Sequence, residues 1–239
     1  MTTPSGAHPD EPHRQGLAQR LNGLRAGVLG ANDGIVSTAA VVVGVAGATS
    51  EVAPVLVAGM AALVGGAVSM ALGEYVSVSS QRDSEHALIE KVRRKLAEAP
   101  DAEFAELVGL YEARGLSTET ATRVATELTA SDALKAHLSV ELNIDADDVV
   151  SPWTAAFASA VAFTVGALLP LLTILLLPVE VRVAATFAAV LLALAVTGYI
   201  AAWIGGARRG RAVVRMVVGG ALALGATYVV GSLFGGLAA

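Results

Sequence analysis

The sequence contains no cysteine. That absence excludes disulfide frameworks, Cys-zinc sites, iron–sulfur ligation and a cysteine nucleophile. Charge is scarce too. Asp, Glu, Lys and Arg make up 15% of the chain, against about 25% in an ordinary soluble protein. A basic surplus is also missing: the formal net charge is −5, which leaves no footprint for nucleic acid. There is no nucleophile–base motif, Walker loop or dinucleotide fingerprint, so the chain is not expected to be an enzyme.

What remains is apolar and organised in runs. No charge occurs in 52–73, 153–178, 183–207 or 216–239, and 26–48 holds only Asp33. Each run approaches or exceeds the ~20 apolar residues that cross a hydrocarbon core of roughly 30 Å. The expected fold class is therefore all-α, a polytopic membrane protein with five transmembrane helices. The first run is read as a retained span and not as a signal peptide. The polar segment 1–23 reads as a flexible tail, and His8 and His13 in it read as solvated and not as metal ligands. Residues 24–80 then hold spans one and two, and 152–239 hold spans three to five.

Charge sets the expected orientation. Fifteen of the sixteen Lys and Arg fall in 1–25, 81–151 and 208–215, which lie on one side when five spans alternate. Arg182 alone falls on the other. The positive-inside rule puts the N-terminus and 81–151 in the cytoplasm and the C-terminus outside, and this bias together with the short polar N-terminus favours a bacterial plasma membrane.

Segment 81–151 has a different character, with 15 acidic and 8 basic residues. Its apolar residues repeat at helical spacing, which predicts a small cytoplasmic domain of three or four amphipathic helices. Asp101, Ser117 and Ser131 are the expected caps, and Gly115 the expected stop.

Asp33 carries the most chemical information. A carboxylate inside a span costs several kcal/mol unless it finds a partner, and no Lys or Arg lies in another span. It is read as part of an ion or proton path; the alternative is a protonated or hydrogen-bonded structural acid. Counting inward from the cytoplasmic ends puts Met70 of span two at the depth of Asp33. Glu74 follows Met70 by four residues, on the same helix face. Taken singly, Met70 is a packing residue and Glu74 an interfacial acid. Together with Asp33 they offer carboxylate and thioether donors, a set that favours Fe2+ or Mn2+ over Cu+ or Zn2+. In segment 81–151, Glu103 and Glu106 are three apart and His137 and Glu141 four apart, so either pair can reach one metal from one helix. Asp83, His86 and Glu90 are similarly spaced. Exposed acids that only solvate a helix are the competing account.

Two stretches resemble the signatures of the vacuolar iron transporter family. One runs from Leu24 to Thr38 (LRAGVLGANDGIVST), the other from Gly65 to Asp83 (GGAVSMALGEYVSVSSQRD). The likeness covers about 20–239, including Phe163–Pro170. It implies a bacterial-type member without the ferritin-like domain of the fused members. It further implies a homodimer with a path between subunits lined by the first spans, and export of Fe2+ or Mn2+ in exchange for protons, with no prosthetic group. Asp33 and Met70 match the family's membrane metal residues, and Glu74 matches the acid of its GEY motif. The plant members' closely spaced glutamates do not align cleanly with 81–151, where Glu103-x-x-Glu106 is the only such pair. The expected function is a proton-coupled exporter of divalent metal. A membrane-anchored metal sensor or adaptor and a passive divalent cation channel are the alternatives.

Overall fold

A computed structural model describes residues 17–143 and 151–238. Among the described residues seven α-helices follow one another: α1 Leu17–Ala48, α2 Val52–Glu98, α3 Pro100–Ala113, α4 Thr118–His137, α5 Pro152–Leu176, α6 Val179–Ile204 and α7 Arg209–Ala238. A π-helical turn, Leu138–Leu142, extends α4. There is no strand among the described residues. Five of the helices (α1, α2, α5, α6 and α7) are long and apolar enough to cross a membrane. Their outward side chains are apolar, with Trp153, Phe157 and Leu176 more than 70% exposed. Only hydrocarbon tolerates such a surface on this scale, because there the helix satisfies its own backbone and no water is excluded. The protein is an integral membrane protein.

The chain divides into two compact units, 1–75 with 153–239, and 76–152. Helix α2 contributes to both. At 47 residues it is about 70 Å long, more than twice the hydrocarbon thickness.

In the first unit, glycine sets how closely the helices approach. A Cβ on Gly34 would lie 2.1 Å from the Phe163 carbonyl oxygen, and one on Gly166 would lie 2.2 Å from that of Ala31. Helices α1 and α5 therefore touch backbone to backbone, which only small residues permit. The Phe163 ring turns the other way and fills the notch at Gly66 of α2, where a Cβ would sit 2.1 Å from the ring. Further out, Gly231 of α7 lies against the Gly44 carbonyl of α1. Ile35, Ala39 and Val43 form a second buried face of α1 with Val190, Leu194 and Leu224.

Arg182, in the first turn of α6, is the largest fully buried side chain. Its Nη2 donates to the Thr49 carbonyl just past the end of α1, at 3.2 Å. A cation at a helix C-terminus meets carbonyls that have no partner inside the helix. Its Nε has no partner, which offsets part of the gain. Arg182→Met is expected to cost about 1–2 kcal/mol, the value of a hydrogen bond to a charged donor less that offset. Thermal unfolding in detergent should show a lowered midpoint; an unchanged midpoint would remove Arg182 as the clamp on α1.

The second unit is built from the end of α2 with α3, α4 and the π turn. Leu107, Ala125 and Ala136 are its buried centre, flanked by Phe104, Tyr111, Leu128 and Val140. Two of the expected caps fall elsewhere. Helix α3 starts from Ala99 with Pro100 in its first turn, so Asp101 sits inside the turn, where its charge meets the helix dipole. Ser117 does cap α4, accepting from the Thr120 N–H. The break expected at Ser131 comes at Asp132, which is non-helical (φ −161°) and accepts from the Lys135 N–H. The chain stops after α3 at Gly115, φ +96°. Helix α1 starts at Leu17, so 17–23 of the expected tail are helical; His8 and His13 lie outside the described residues.

Candidate metal-handling sites

Helix positions fix the depth of the membrane residues. Gly59 of α2 sits against Val42 of α1 and against Leu171 of α5, while Gly66 sits against Phe163. So α2 runs antiparallel to α5. Gly30 and Gly34 meet Ser159 and Phe163 in the same sense, so α1 runs parallel to α5 and antiparallel to α2. Asp33 is nine residues before Val42, and nine residues beyond Gly59 is Val68. Met70 is thus about 3 Å from the level of Asp33, and Glu74 about 9 Å, at 1.5 Å per residue.

Depth matches, but facing does not. Nine residues turn an α-helix by about 900°, or two and a half turns. Asp33 therefore projects from the side of α1 opposite Val42, the residue that meets α2. Its stripe continues through Ser37, Ala40, Gly44 and Ala48. The last three line an apolar groove of about 470 Å³ between α1 and α7, with Thr227, Val230 and Gly231 opposite. Within one chain, Asp33 and Met70 share a level but are not brought together. Met70 lies on the stripe of α2 that holds Val55, Gly59 and Gly66, with Glu74 one turn further.

Asp33 is half-buried. Its carbonyl accepts from the Ser37 hydroxyl, and no Lys or Arg pairs with its carboxylate among the described residues. Next to it, Asn32 Oδ1 is buried without a partner. At the end of this region Tyr75 packs on Trp153 with ring centroids 4.7 Å apart. Aromatic pairs of this kind are common where a span meets the headgroups.

The second unit gathers four of the residues picked out by spacing. Glu103 and His137 are buried, 6% and 1% exposed. His137 Nδ1 lies 4.0 Å from a carboxylate oxygen of Glu103 and 4.0 Å from one of Glu141. That is too long for a hydrogen bond. All three atoms, Glu103 Oε2, His137 Nδ1 and Glu141 Oε2, are buried without a partner. The π turn helps to place Glu141 against His137, and such turns are frequent at functional positions. Glu106 is more exposed and is held with Glu103 by Lys95 of α2: Nζ is 3.6 Å from Glu103 and 3.4 Å from Glu106. Glu103 first, then Glu106, hold the Lys95 ammonium above its ordinary pKa.

Buried carboxylate oxygens without a partner beside the His137 imidazole suit a divalent cation. They are not drawn together as a finished coordination shell: no group of three or more His, Asp or Glu side chains is set to hold a metal among the described residues. Ligands bonded at about 2.1 Å to one ion are roughly 3 Å apart, so these groups would close by about 1 Å. Two of the other residues suggested by spacing already have partners. Glu90 pairs with Arg93, and His86 accepts from Arg82.

Spacing along one helix found the pairs but not Lys95, which comes from a different helix. Nor did it find Phe163 and its contacts with Gly30, Gly34 and Gly66, since only the packed helices reveal which glycines are spacers.

Comparison with known proteins follows the same lines. The sequence model of the VIT family matches residues 24–232. A vacuolar iron transporter of Acanthamoeba castellanii is 43% identical over 211 residues, 88% of this chain and 78% of that protein. Vacuolar iron transporter homolog 1 of Oryza sativa subsp. japonica is 39% identical over 231 residues, 96% of this chain and 82% of its own length. Vacuolar iron transporter homolog 3 of Arabidopsis thaliana is 35% identical over 219 residues, 91% and 86% of the two chains.

Proposed function

The chain belongs to the VIT family, and from that premise we propose that it exports Fe2+ or Mn2+ from the cytosol in exchange for protons. The observation that carries this reading is Asp33: a half-buried carboxylate in a membrane span, with no basic partner among the described residues. Such a group is costly to hold for structure alone and useful to a passing cation.

Asp33, Met70 and Glu74 are the membrane ligands in this proposal. Asp33 faces away from α2 within its own chain, so the route is completed by a second copy set against the groove face. That arrangement is a homodimer, with α1 of each copy lining the path. Segment 81–151 is the cytoplasmic collector. Glu103, Glu106, His137 and Glu141 gather the ion there before it enters the spans. The excess of Lys and Arg on 1–25, 81–151 and 208–215 supports this orientation in a plasma membrane.

Protons supply the release step. Metal and proton compete for the same carboxylates, so acid on the far side lowers metal affinity where the ion leaves. In proteoliposomes, Fe2+ or Mn2+ uptake is expected to rise when the lumen is made acidic and to fall when a protonophore collapses the gradient. Flux indifferent to the gradient would replace exchange with a passive channel. Absence of flux would favour a sensor or adaptor.

A further inference from the structure

Lys95 reaches the acidic cluster of the second unit from a different helix. It sits near the end of α2, while its two carboxylates, Glu103 and Glu106, are one turn apart on α3. The two ends of the contact differ in burial. The Lys95 side chain is 37% exposed and that of Glu103 is 7% exposed. The ammonium therefore stands on the more exposed side of Glu103, whose other oxygen faces His137. A buried carboxylate needs a compensating charge, and Lys95 provides it on the Oε1 side. On the other side, Glu103 Oε2 faces His137 Nδ1 with no hydrogen bond.

A divalent cation bound between Glu103, His137 and Glu141 would stand beside this ammonium. Two cations cannot share a carboxylate pair at that range without strong repulsion. The lysine has a flexible four-carbon stem and an outlet to water, so it is the group that gives way. We propose that Lys95 is a built-in competitor of the transported metal: its ammonium and a divalent cation exclude one another at Glu103 and Glu106. This rests on the reading that Glu103, Glu106, His137 and Glu141 receive the ion. A tethered competitor does two things for a transporter. It weakens the grip of the collector, so that metal passes on, and it selects a doubly charged ion over a singly charged one, because only the former outbids an ammonium already in reach.

The test is Mn2+ binding to the full-length protein in detergent, by titration calorimetry, for the unmutated protein, Lys95→Gln, Lys95→Arg and Glu103→Gln. Lys95→Gln is expected to bind Mn2+ about three- to tenfold more tightly, the scale of a partly exposed ion pair. Lys95→Arg should stay near the parent, and Glu103→Gln should weaken binding. A purely structural lysine would give the opposite sign, since its loss loosens α3 against α2. A second measurement needs no variant. Saturating Mn2+ should raise the labelling of Lys95 by an amine-reactive reagent, while Lys91, exposed one turn earlier on α2, stays constant. Equal or weaker binding by Lys95→Gln together with flat Lys95 labelling overturns the inference and leaves the collector intact. If Lys95→Gln does not fold, the labelling alone decides. If the parent does not bind Mn2+, or Glu103→Gln binds as the parent does, the collector reading fails and this inference with it.

Discussion

Asp33→Asn is expected to abolish metal transport while leaving the protein folded. Asparagine keeps the shape and the hydrogen-bonding capacity of the side chain but removes the charge. A charge that only stabilised the helix would be missed little, since an unpaired carboxylate in a span is a cost. If Asp33 binds the passing ion, its loss removes one anionic ligand from a site with few of them. A loss of at least about 100-fold in transport rate is expected, the scale of nearly 3 kcal/mol. The thermal midpoint should stay the same or rise. Initial rates in proteoliposomes, beside a melting curve in detergent, give both values. Rates equal to the parent's would remove Asp33 from the route and leave it a structural acid. Mn2+ binding in the second unit should be untouched, which separates the two sites.

Gly34→Ala has the next largest effect, and on stability first. The added Cβ would lie 2.1 Å from the Phe163 carbonyl oxygen and 3.0 Å from the Ala167 nitrogen. Neither atom belongs to a side chain that can swing away, so the helices themselves must separate by about 1 Å. Overpacking of that kind costs typically 1–3 kcal/mol, and a backbone clash belongs at the upper end, about 3 kcal/mol. Gly65→Ala is the matched control, because nothing lies within 4 Å of its Cβ position; there the gain in helix propensity is all that remains. A clear drop in melting midpoint for Gly34→Ala with none for Gly65→Ala is the expected result. Equal midpoints would mean that α1 and α5 do not touch as described. Transport by Gly34→Ala should fall as well, because the displaced segment carries Asp33 on the adjoining residue.

Much of the fold was legible because a bilayer is a simple solvent. The charge-free runs coincide with α2, α5, α6 and α7, and the single acid of the first run sits within α1. Helix periodicity located Ser117 and Gly115 as start and stop, since each acts locally, Ser117 through its hydroxyl oxygen on the Thr120 N–H and Gly115 through its positive φ. It misplaced the caps at Asp101 and Ser131 because the deciding features were local competitors: Pro100 takes the first turn, and Asp132 adopts the non-helical conformation one residue later. Depth was legible for Met70, which counting from the span ends put level with Asp33. Facing was not, since it depends on which side of α1 meets α2, and Val42 settles that only in the packed structure. In the second unit, i, i+3 and i, i+4 spacing named Glu103, Glu106, His137 and Glu141. It also named Asp83, His86 and Glu90, which the fold leaves elsewhere. Convergence of two helices is what separates these groups, and it is invisible along one.

The locking of α1 to α5 also limits how the molecule can change shape. With Gly34 pressed on the Phe163 carbonyl and Gly166 on that of Ala31, sliding by a residue or turning by one position would drive a Cβ into a backbone. The two helices have one register and no neighbouring one. Any conformational cycle that exposes Asp33 first to one side of the bilayer and then to the other must carry α1 and α5 as a single body. The freedom for that cycle lies at the faces this body leaves open, and the part of α1 that carries Asp33 and Ser37, both half-buried, is one of them.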